Sequence, residues 1–261
     1  DIGGPFAVRA QTAWLGWQGI EGELLAWMAD NHAATRSGDT ARNAAVAAAF
    51  DAIIRRQLCR RRALGSAAPS DPTTALLSAS LDGQPLSDAD IVSILRNWTA
   101  GDLASMAAAL GVVVRFLSTH PDVQQALRDR PEDLAPAIDE MLRLDDPFLV
   151  NRRVTTRAVR IGEHELAAGT RVYLNWTSAN RDENVFGDSD AYRPERNAPH
   201  NLVYGTGIHA CPGRPLATME LVVAVEALLK ATALIEPAPD AVPERETYPL
   251  GGWRRVPVRL R

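Results

Sequence analysis

Cysteine is nearly absent from this sequence, and several other signals are missing altogether. The 261 residues contain two cysteines, Cys59 and Cys211, which excludes a disulfide framework and makes a reducing cytoplasm the expected location. The formal net charge is -4, which gives no reason to expect binding to nucleic acid or to an anionic membrane. We find no apolar run long enough to predict a membrane-spanning helix, no internal repeat and no low-complexity linker. These absences favour an ordinary soluble globular protein.

The first half of the chain has the patterns of helices. A helix rich in alanine is predicted to begin at Asp39 or Thr40 and to run to about residue 63. Residues 65–74 read as a loop. Ser87 and Asp90 have the spacing of a capping box, and the helical pattern after them continues for about 32 residues until Pro121 stops it. Two helices joined by a kink are the alternative for this stretch, and two further helices are predicted over 121–130 and 134–144.

The second half of the chain has the sequence patterns of strands and loops as well as helices. Residues 159–178 alternate like strands around an Ala-Gly turn, and residues 180–201 read as loop. A helix follows Cys211, with Pro212 as its expected first position, and its apolar residues surround it, so we expect it to be buried. The tail reads as strand, turn and strand. We therefore predict a mainly α fold with a smaller β part in one domain, residues 1–261, with a helical part over about 5–145 and a β-containing part over about 146–261.

The stretch YGTGIHACPG, residues 204–213, is the most informative in the chain. Gly205, Gly207 and Gly213 would let the backbone approach a flat, bulky group closely. Cys211 directly precedes a helix, where the helix dipole and free amides favour the thiolate that ligates metals. The alternatives are a buried structural cysteine and a nucleophile assisted by His209. A zinc site has little support, because the sequence offers no clustered ligands beside it.

This stretch closely resembles the haem-binding loop of the cytochrome P450 family of haem-thiolate monooxygenases. The family pattern is Phe-Gly-x-Gly-x-His-x-Cys-x-Gly, and Tyr204 alone departs from it, in place of phenylalanine. The resemblance implies haem b, with Cys211 as the axial iron ligand and His209 as a contact for a propionate. A thiolate ligand pushes electron density toward the iron and favours O–O cleavage.

Two further segments extend the resemblance. Glu140 and Arg143 lie three residues apart on one helix, and they resemble the Glu-x-x-Arg pair of the family. In the family an arginine shortly before the haem loop completes a buried triad, and Arg196 is the best candidate here. Arg153 lies where a family arginine reaches a haem propionate, with Arg152 as the alternative. Arginine suits a bidentate carboxylate partner.

The long helix carries the part of the resemblance that departs from the family. Ala100 and Gly101 resemble the start of the oxygen-binding groove, which is usually Ala-Gly-x-(Asp/Glu)-Thr. Leu and Ala occupy the acid and threonine positions of that pattern at residues 103 and 104. Asp102 and Ser105 lie to either side, three residues apart. We interpret Asp102 and Ser105 as the candidates to relay protons through water.

The resemblance implies a soluble, bacterial-type monooxygenase that inserts one oxygen atom from O2 into a small apolar substrate. Electrons would come ultimately from NAD(P)H through ferredoxin reductase and ferredoxin. The alternatives are a catalytically silent haem-binding protein and a Cys-His hydrolase without haem. The candidates to line the substrate pocket are Phe148, Leu149, Val150 and Leu250.

The resemblance covers the later two-thirds of the family fold. The first residue is Asp1, and we expect the natural protein to extend further upstream, because the family's N-terminal helices and strands have no counterpart here. A chain without them would bind haem weakly and would not hydroxylate. A second copy of the chain, covering the exposed apolar surface as a dimer, is the alternative.

Overall fold

Helices dominate the computed structural model, which describes residues 2–248 and 250–261. Asp1 and Pro249 lie outside the described residues. The helices of eight residues or more are α1 (Gly3–Leu15), α2 (Glu21–Ser37), α3 (Thr40–Leu64), α5 (Asp88–Thr119), α6 (Pro121–Asp129), α7 (Leu134–Leu144) and α11 (Arg214–Ala231). The shorter ones are α4 (Pro72–Leu77), α8 (Trp176–Ala179), α9 (Glu183–Phe186) and α10 (Pro194–Asn197).

The described strands form two-stranded antiparallel sheets. They are β1 (Ser80–Leu81) with β2 (Gln84–Pro85), β3 (Val150–Val154) with β6 (Arg171–Asn175), β4 (Val159–Ile161) with β5 (His164–Leu166), β7 (Ile235–Pro237) with β10 (Val258–Leu260), and β8 (Glu244–Arg245) with β9 (Trp253–Arg255). The strands on either side of the predicted Ala-Gly turn, β5 and β6, therefore pair with other strands and not with each other. The two strands of the tail, β9 and β10, likewise have separate partners.

The chain divides into two compact units, residues 1–110 and 111–261. The division falls inside α5, whereas the sequence predicts the change from helical to β-containing structure at about residue 145. In the first unit, the buried indole of Trp17 donates to Thr73 Oγ1 at 2.9 Å, and Thr73 donates in turn to the carbonyl of Leu15 at 2.7 Å. The rings of Trp27 and Phe50 stack with 4.0 Å between their centroids.

The boundaries of two helices follow from their caps. Asp39 accepts from the amides of Ala41 and Arg42 at the start of α3, which confirms the predicted cap. Ser87 and Asp90 bind each other's backbone amides at the start of α5, as a capping box does. The region predicted as loop contains the start of α4. Asp71 caps this helix by accepting from the amide of Thr74 at 2.9 Å, and proline suits its first position.

The α5 helix is continuous over 32 residues, as predicted, without the alternative break. By length and composition alone it could cross a membrane, contrary to the expectation that no such stretch exists. This is weak evidence, because the core helix of a soluble protein passes the same test. Leu95, Leu103 and Val113 of this helix are fully buried within the protein.

The α11 helix packs against α6 and α7 in the second unit. Its buried face consists of Glu220, Leu221, Val225 and Leu229. Met219 and Val223 are more than half exposed, so the prediction of burial on all sides is wrong. The helix begins at Arg214 with Pro215 in its first turn, rather than at Pro212.

Candidate functional site

The side chains of Glu140 and Arg143 form a fully buried ion pair on α7, in the second unit. The guanidinium is bidentate, donating from Nε to Oε2 at 2.7 Å and from Nη2 to Oε1 at 2.9 Å. Its remaining hydrogens go to the carbonyls of Asn180, Ser189 and Ala191. All five donors of the guanidinium are therefore used, which is what a buried arginine requires.

The carboxylate of Glu140 accepts further hydrogen bonds from the segment around α10. Its Oε1 accepts from the amide of Arg193 at 2.9 Å and from Nδ2 of Asn197 at 2.7 Å. Asn197 is 2% exposed, whereas Arg196 beside it is exposed at the surface. Arg196 is thus not the third member of the buried cluster. The side chain of Asn197 and the backbone of Arg193 take that place, because the short helix α10 turns Asn197 inward.

We expect Asn197→Ala to destabilise the fold by about 1.5–3 kcal/mol, because it leaves a buried carboxylate short of one hydrogen bond. Arg196→Ala should change the free energy of unfolding by no more than about 0.5 kcal/mol, since the side chain is exposed. Urea unfolding of both variants measures the difference. If Arg196→Ala were the more destabilising of the two, Arg196 and not Asn197 would be the third member of the buried cluster.

The segment after α10 connects this cluster to the cysteine loop. Asn201 donates from Nδ2 to the carbonyl of Asp139 at 2.8 Å and accepts from the amide of Val203 at 2.9 Å. The amide of Leu202 donates to Oδ1 of Asn180 at 2.8 Å. Sequence reasoning missed these asparagines, because nothing in a loop sequence distinguishes an asparagine that faces solvent from one that bridges two segments.

The loop of residues 204–213 is shaped by its own backbone. The amide of Cys211 donates to the carbonyl of Tyr204 at 2.8 Å, which closes the loop. Gly205 and Gly207 have φ values of 68° and 67°, in the left-handed region that favours glycine. Cys211 is a free, exposed cysteine at the surface of this loop, and His209 is exposed beside it. The buried structural cysteine considered above is therefore excluded.

Tyr204 forms the inner side of the loop. Burial raises the pKa of its phenol, and a hydrogen bond to Thr218 of α11 opposes that rise. The guanidinium of Arg214 lies over its ring, 5.2 Å from the centroid. Arg214 also approaches Asp139 of α7, with 3.5 Å between Nη2 and Oδ2. The departure from phenylalanine thus adds a polar contact that joins the loop to α11.

Two arginines lie next to each other on β3 and project to opposite faces of its sheet with β6. Arg152 is exposed, its guanidinium lies over the ring of Tyr173 at 5.9 Å, and a hydrogen bond with Tyr248 raises its pKa. Arg153 is half-buried and donates to the carbonyl of Arg152. Among the described residues neither arginine has a carboxylate partner. Arg153 is therefore free for an anionic group on the face opposite the tyrosines.

Gly251, next to the predicted substrate-lining residue Leu250, contacts the segment that contains Leu149. A Cβ built on Gly251 would lie 2.5 Å from the carbonyl oxygen of Pro147 and 3.2 Å from the side chain of Leu149, so only glycine fits this contact. Phe148 is 50% exposed, and Val150 begins β3. Leu250 is half-buried, and its amide donates to the carbonyl of Thr247.

The motif on α5 lies in the first unit. Gly101 is exposed, with nothing within 4 Å of an added Cβ, and Ala100 is half-buried. Oδ2 of Asp102 is buried without a hydrogen-bond partner, and burial raises the pKa of this carboxyl to about 6. Ser105 donates to the carbonyl of Asp102 at 3.4 Å. Leu103, at the position of the family's acid, is fully buried in the core.

Comparison with known proteins identifies the class. The family model of cytochrome P450 matches residues 134–250, which include the Glu140–Arg143 pair and the cysteine loop. Cyclomarin C epoxidase CymV of Salinispora arenicola is 34% identical over 203 residues, which are 78% of this chain and 51% of the relative. Linalool 8-monooxygenase of Pseudomonas putida is 35% identical over 158 residues, 60% of this chain and 39% of the relative.

Solved structures agree on the fold. The open cytochrome P450 EryK from S. erythraea superposes with a TM-score of 0.90 at 25% identity, covering 99% of this chain and 67% of that one. Cytochrome P450 TbtJ1 gives 0.89 at 26% identity, with 99% and 69% covered. The chain belongs to the cytochrome P450 family, and the fold predicted from the resemblance is confirmed. It spans about half the length of the curated relatives it matches.

The residues of the second unit fit the haem that this family implies. Cys211 supplies an exposed thiol, the donor that a haem-thiolate site needs. A Cβ on Gly207 would meet nothing within 4 Å, so the loop presents an open surface beside the thiol. Within the described part of the chain, neither His209 nor Arg153 has a carboxylate partner, which leaves both available for propionates.

Proposed function

We propose that Cys211 binds haem b through its thiolate and that this chain carries the cofactor site of a monooxygenase that inserts one oxygen atom from O2 into a small apolar molecule. The observation that carries the proposal is the exposed thiol on a glycine loop, which Leu202 and Asn180 connect by hydrogen bonds to the fully buried Glu140–Arg143 pair. When bound, the haem supplies the activation of oxygen, and the protein supplies binding, orientation and electrostatics.

Each named residue then has one task. Cys211 holds the cofactor, while Gly205, Gly207 and Gly213 keep side chains away from its flat face. Arg153 and His209 bind the two propionates, and an arginine suits that role because its planar fork matches a carboxylate. Glu140, Arg143 and Asn197 hold α7 and the segment before the loop in one arrangement, so that the thiol is presented in a fixed position.

The substrate class follows from the lining residues. Phe148, Leu149, Val150 and Leu250 are apolar, and the contact of Gly251 with Leu149 brings the tail turn to the start of β3, which favours an apolar substrate. The relatives named above are an epoxidase and a monooxygenase, which supports oxygen insertion as the reaction. We propose that electrons arrive from NAD(P)H through ferredoxin reductase and ferredoxin, and that the protein acts in the cytoplasm, as its two free cysteines suggest.

A catalytically silent haem-binding protein is the second candidate. It is favoured by Leu103 and Ala104, which occupy the positions of the family's acid and threonine on α5. Two measurements separate the candidates. A band at about 450 nm in the reduced protein with carbon monoxide tests the thiolate ligation. Peroxide-driven oxidation of an apolar probe such as styrene, with labelled peroxide to follow the oxygen atom, tests the activity, and haem binding without labelled product would favour the silent protein.

Asp102 is the residue on which proton delivery depends in the proposed reaction. Asp102→Asn should lower turnover with O2 by about 10²–10⁴-fold, since it replaces a general acid by an amide that does not release a proton in this pH range. Burial raises the pKa of Asp102 to about 6, so the acid form is lost as the pH rises above that value. The wild-type rate should therefore fall with increasing pH near 6, and the variant should lack this limb.

The matched control for this prediction is Asp88→Asn, which removes a carboxylate from the exposed first turn of the same helix. Its rate and pH profile should equal those of the wild type. Asparagine has the shape of aspartate without the charge that burial disfavours, so Asp102→Asn should remain folded. An unchanged pH profile in Asp102→Asn would remove this residue from the reaction.

A further inference from the structure

A second buried carboxyl in this chain has no assigned role. Asp146 lies between α7 and β3, is 2% exposed, and has no cation partner among the described residues. Its Oδ1 accepts from the amide of Phe148 at 2.8 Å, which fixes the turn that leads into the substrate-lining segment. Its Oδ2 lies 3.4 Å from Nδ2 of Asn180. A buried acid with two neutral donors and no counter-ion is unusual, since buried charges are normally paired.

Asn180 extends this contact to Leu202, in the segment that leads into the cysteine loop. It is fully buried, and its backbone carbonyl and both polar atoms of its side chain bind three different segments. Its backbone carbonyl accepts from Arg143, its Oδ1 accepts from the amide of Leu202, and its Nδ2 faces Asp146. Asn180 therefore connects the start of the substrate-lining segment, the buried ion pair of α7 and the residue two positions before Tyr204.

We propose that Asp146 and Asn180 are positioning residues that couple the Phe148–Val150 segment to the cysteine loop, and that protonation of Asp146 favours the closed state. In the closed state the hydrogen bonds of Asp146 to Phe148 and of Asn180 to Asp146 and Leu202 are all formed. The coupling stands on the hydrogen bonds of the two side chains and does not require haem. Its consequence for the substrate rests on the function proposed above, because it would make the apolar lining and the cofactor loop move together.

The charged groups around Asp146 do not offer it compensation. The one that acts on it is the neighbouring carboxylate of Asp145, which raises its pKa further. Asp145 is itself paired with Arg245, and the cations of the neighbouring segments are bound elsewhere, Arg143 to Glu140 and Arg181 to Asp190. Burial is the largest cause and raises the pKa of Asp146 to about 7, while the two hydrogen bonds oppose it.

The raised pKa of Asp146 determines how the stability of the closed state changes with pH. An opened segment exposes Asp146 to water, where its pKa returns to about 3.9. The closed state is therefore favoured fully below about pH 4, and it loses this advantage as the pH rises toward 7. Between these values the opening equilibrium increases by up to about tenfold per pH unit.

Hydrogen exchange of the full chain tests the coupling at two amides, those of Phe148 and Leu202. Haem content is recorded separately by the reduced-CO spectrum, so a failure of haem binding leaves this test intact. We expect the protection factors of both amides, corrected for the intrinsic effect of pH, to fall at least about tenfold between pH 5 and pH 7 in the wild type. Asp146→Asn, which keeps an oxygen for the Phe148 amide, should show no such fall.

Two further variants make the result specific. Asp122→Asn removes an exposed carboxylate from α6 and should behave as the wild type does. Asn180→Ala should abolish the pH dependence at Leu202 while Phe148 retains it, because only the bridge is lost. The proposal is overturned if the wild type shows no fall, if Asp146→Asn retains it, or if Leu202 still follows the pH in Asn180→Ala.

Discussion

Replacing Cys211 with alanine should abolish the reduced-CO band at about 450 nm, because that band requires a thiolate on the iron. Cys59→Ala is the matched control. Cys59 is also a free, exposed cysteine, but it lies late on α3 in the first unit, with no glycine loop around it. Its replacement should leave the spectrum unchanged. Reduced-CO difference spectra of the two purified variants measure this directly.

The same pair of variants separates ligation from folding. Cys211 is exposed, so removing its side chain opens no cavity and should change the free energy of unfolding by no more than about 0.5 kcal/mol. Cys211→Ala should therefore lose the spectrum while its urea-unfolding midpoint, measured without haem, stays at the wild-type value. An intact band in Cys211→Ala would contradict the haem-thiolate proposal altogether.

Local signals explain most of what the sequence predicted correctly. The starts of α3 and α5 are set by side chains within three residues of the helix, such as Asp39, which accepts from the amide of Ala41 at 2.8 Å. The end of α5 is set by Pro121, which disfavours the helical conformation of the residue before it. The cysteine loop is a contiguous motif, so its resemblance to a family was readable without any knowledge of long-range contacts.

Errors arose where the outcome depends on distant partners. The sequence predicted that strands lie on either side of the Ala-Gly turn. It did not predict that β5 pairs with β4 and β6 with β3, because the pattern of a strand does not reveal its partner strand. The exposed face of α11 was missed because Met219 and Val223 have the hydropathy of core residues. Whether an apolar side chain is buried depends on its neighbours in space.

The buried cluster shows the same limit at the level of single residues. Arg196 and Asn197 are adjacent, and the order of residues in the family pattern pointed to the arginine. The side chain that reaches Glu140 is that of Asn197, because one residue along a single helical turn changes the direction by about 100°. The family motif therefore identified the segment that contacts Glu140, whereas the hydrogen bonds of the structure identified Asn197 as the residue that makes the contact.

Glu140→Ala should have the largest effect on stability of any single substitution in the second unit. The carboxylate accepts from Nε and Nη2 of Arg143, from the amide of Arg193 and from Asn197. Its removal leaves a fully buried guanidinium without a counter-charge, and breaking a buried pair from one side typically costs about 3–5 kcal/mol. That is a large part of the roughly 5–15 kcal/mol by which a domain is stable.

The matched control is Glu195→Ala, which removes an exposed carboxylate from α10. Urea unfolding should show a small change for Glu195→Ala and a large one for Glu140→Ala. Equal losses of stability in Glu140→Ala and Glu195→Ala would contradict a stabilising role for the Glu140–Arg143 pair. Because Glu140→Ala could prove insoluble, Glu140→Gln provides a second measurement. Glutamine keeps one oxygen acceptor but sets its NH2 group against an arginine donor, so its loss should be intermediate.

A double substitution then shows whether the penalty comes from the uncompensated charge. Arg143→Ala alone leaves a buried carboxylate, and Glu140→Ala alone leaves a buried guanidinium, so each single variant carries the cost of an unpaired ion. Replacing both removes both charges, and the double variant should be less destabilised than the sum of the two by about 1–3 kcal/mol. Additive losses would mean that the pair acts through packing, for example through the ring of Phe186, which lies 4.7 Å from the guanidinium carbon. Coupled losses would mean that the two buried charges stabilise each other, so that the ion pair itself contributes to the stability of the second unit.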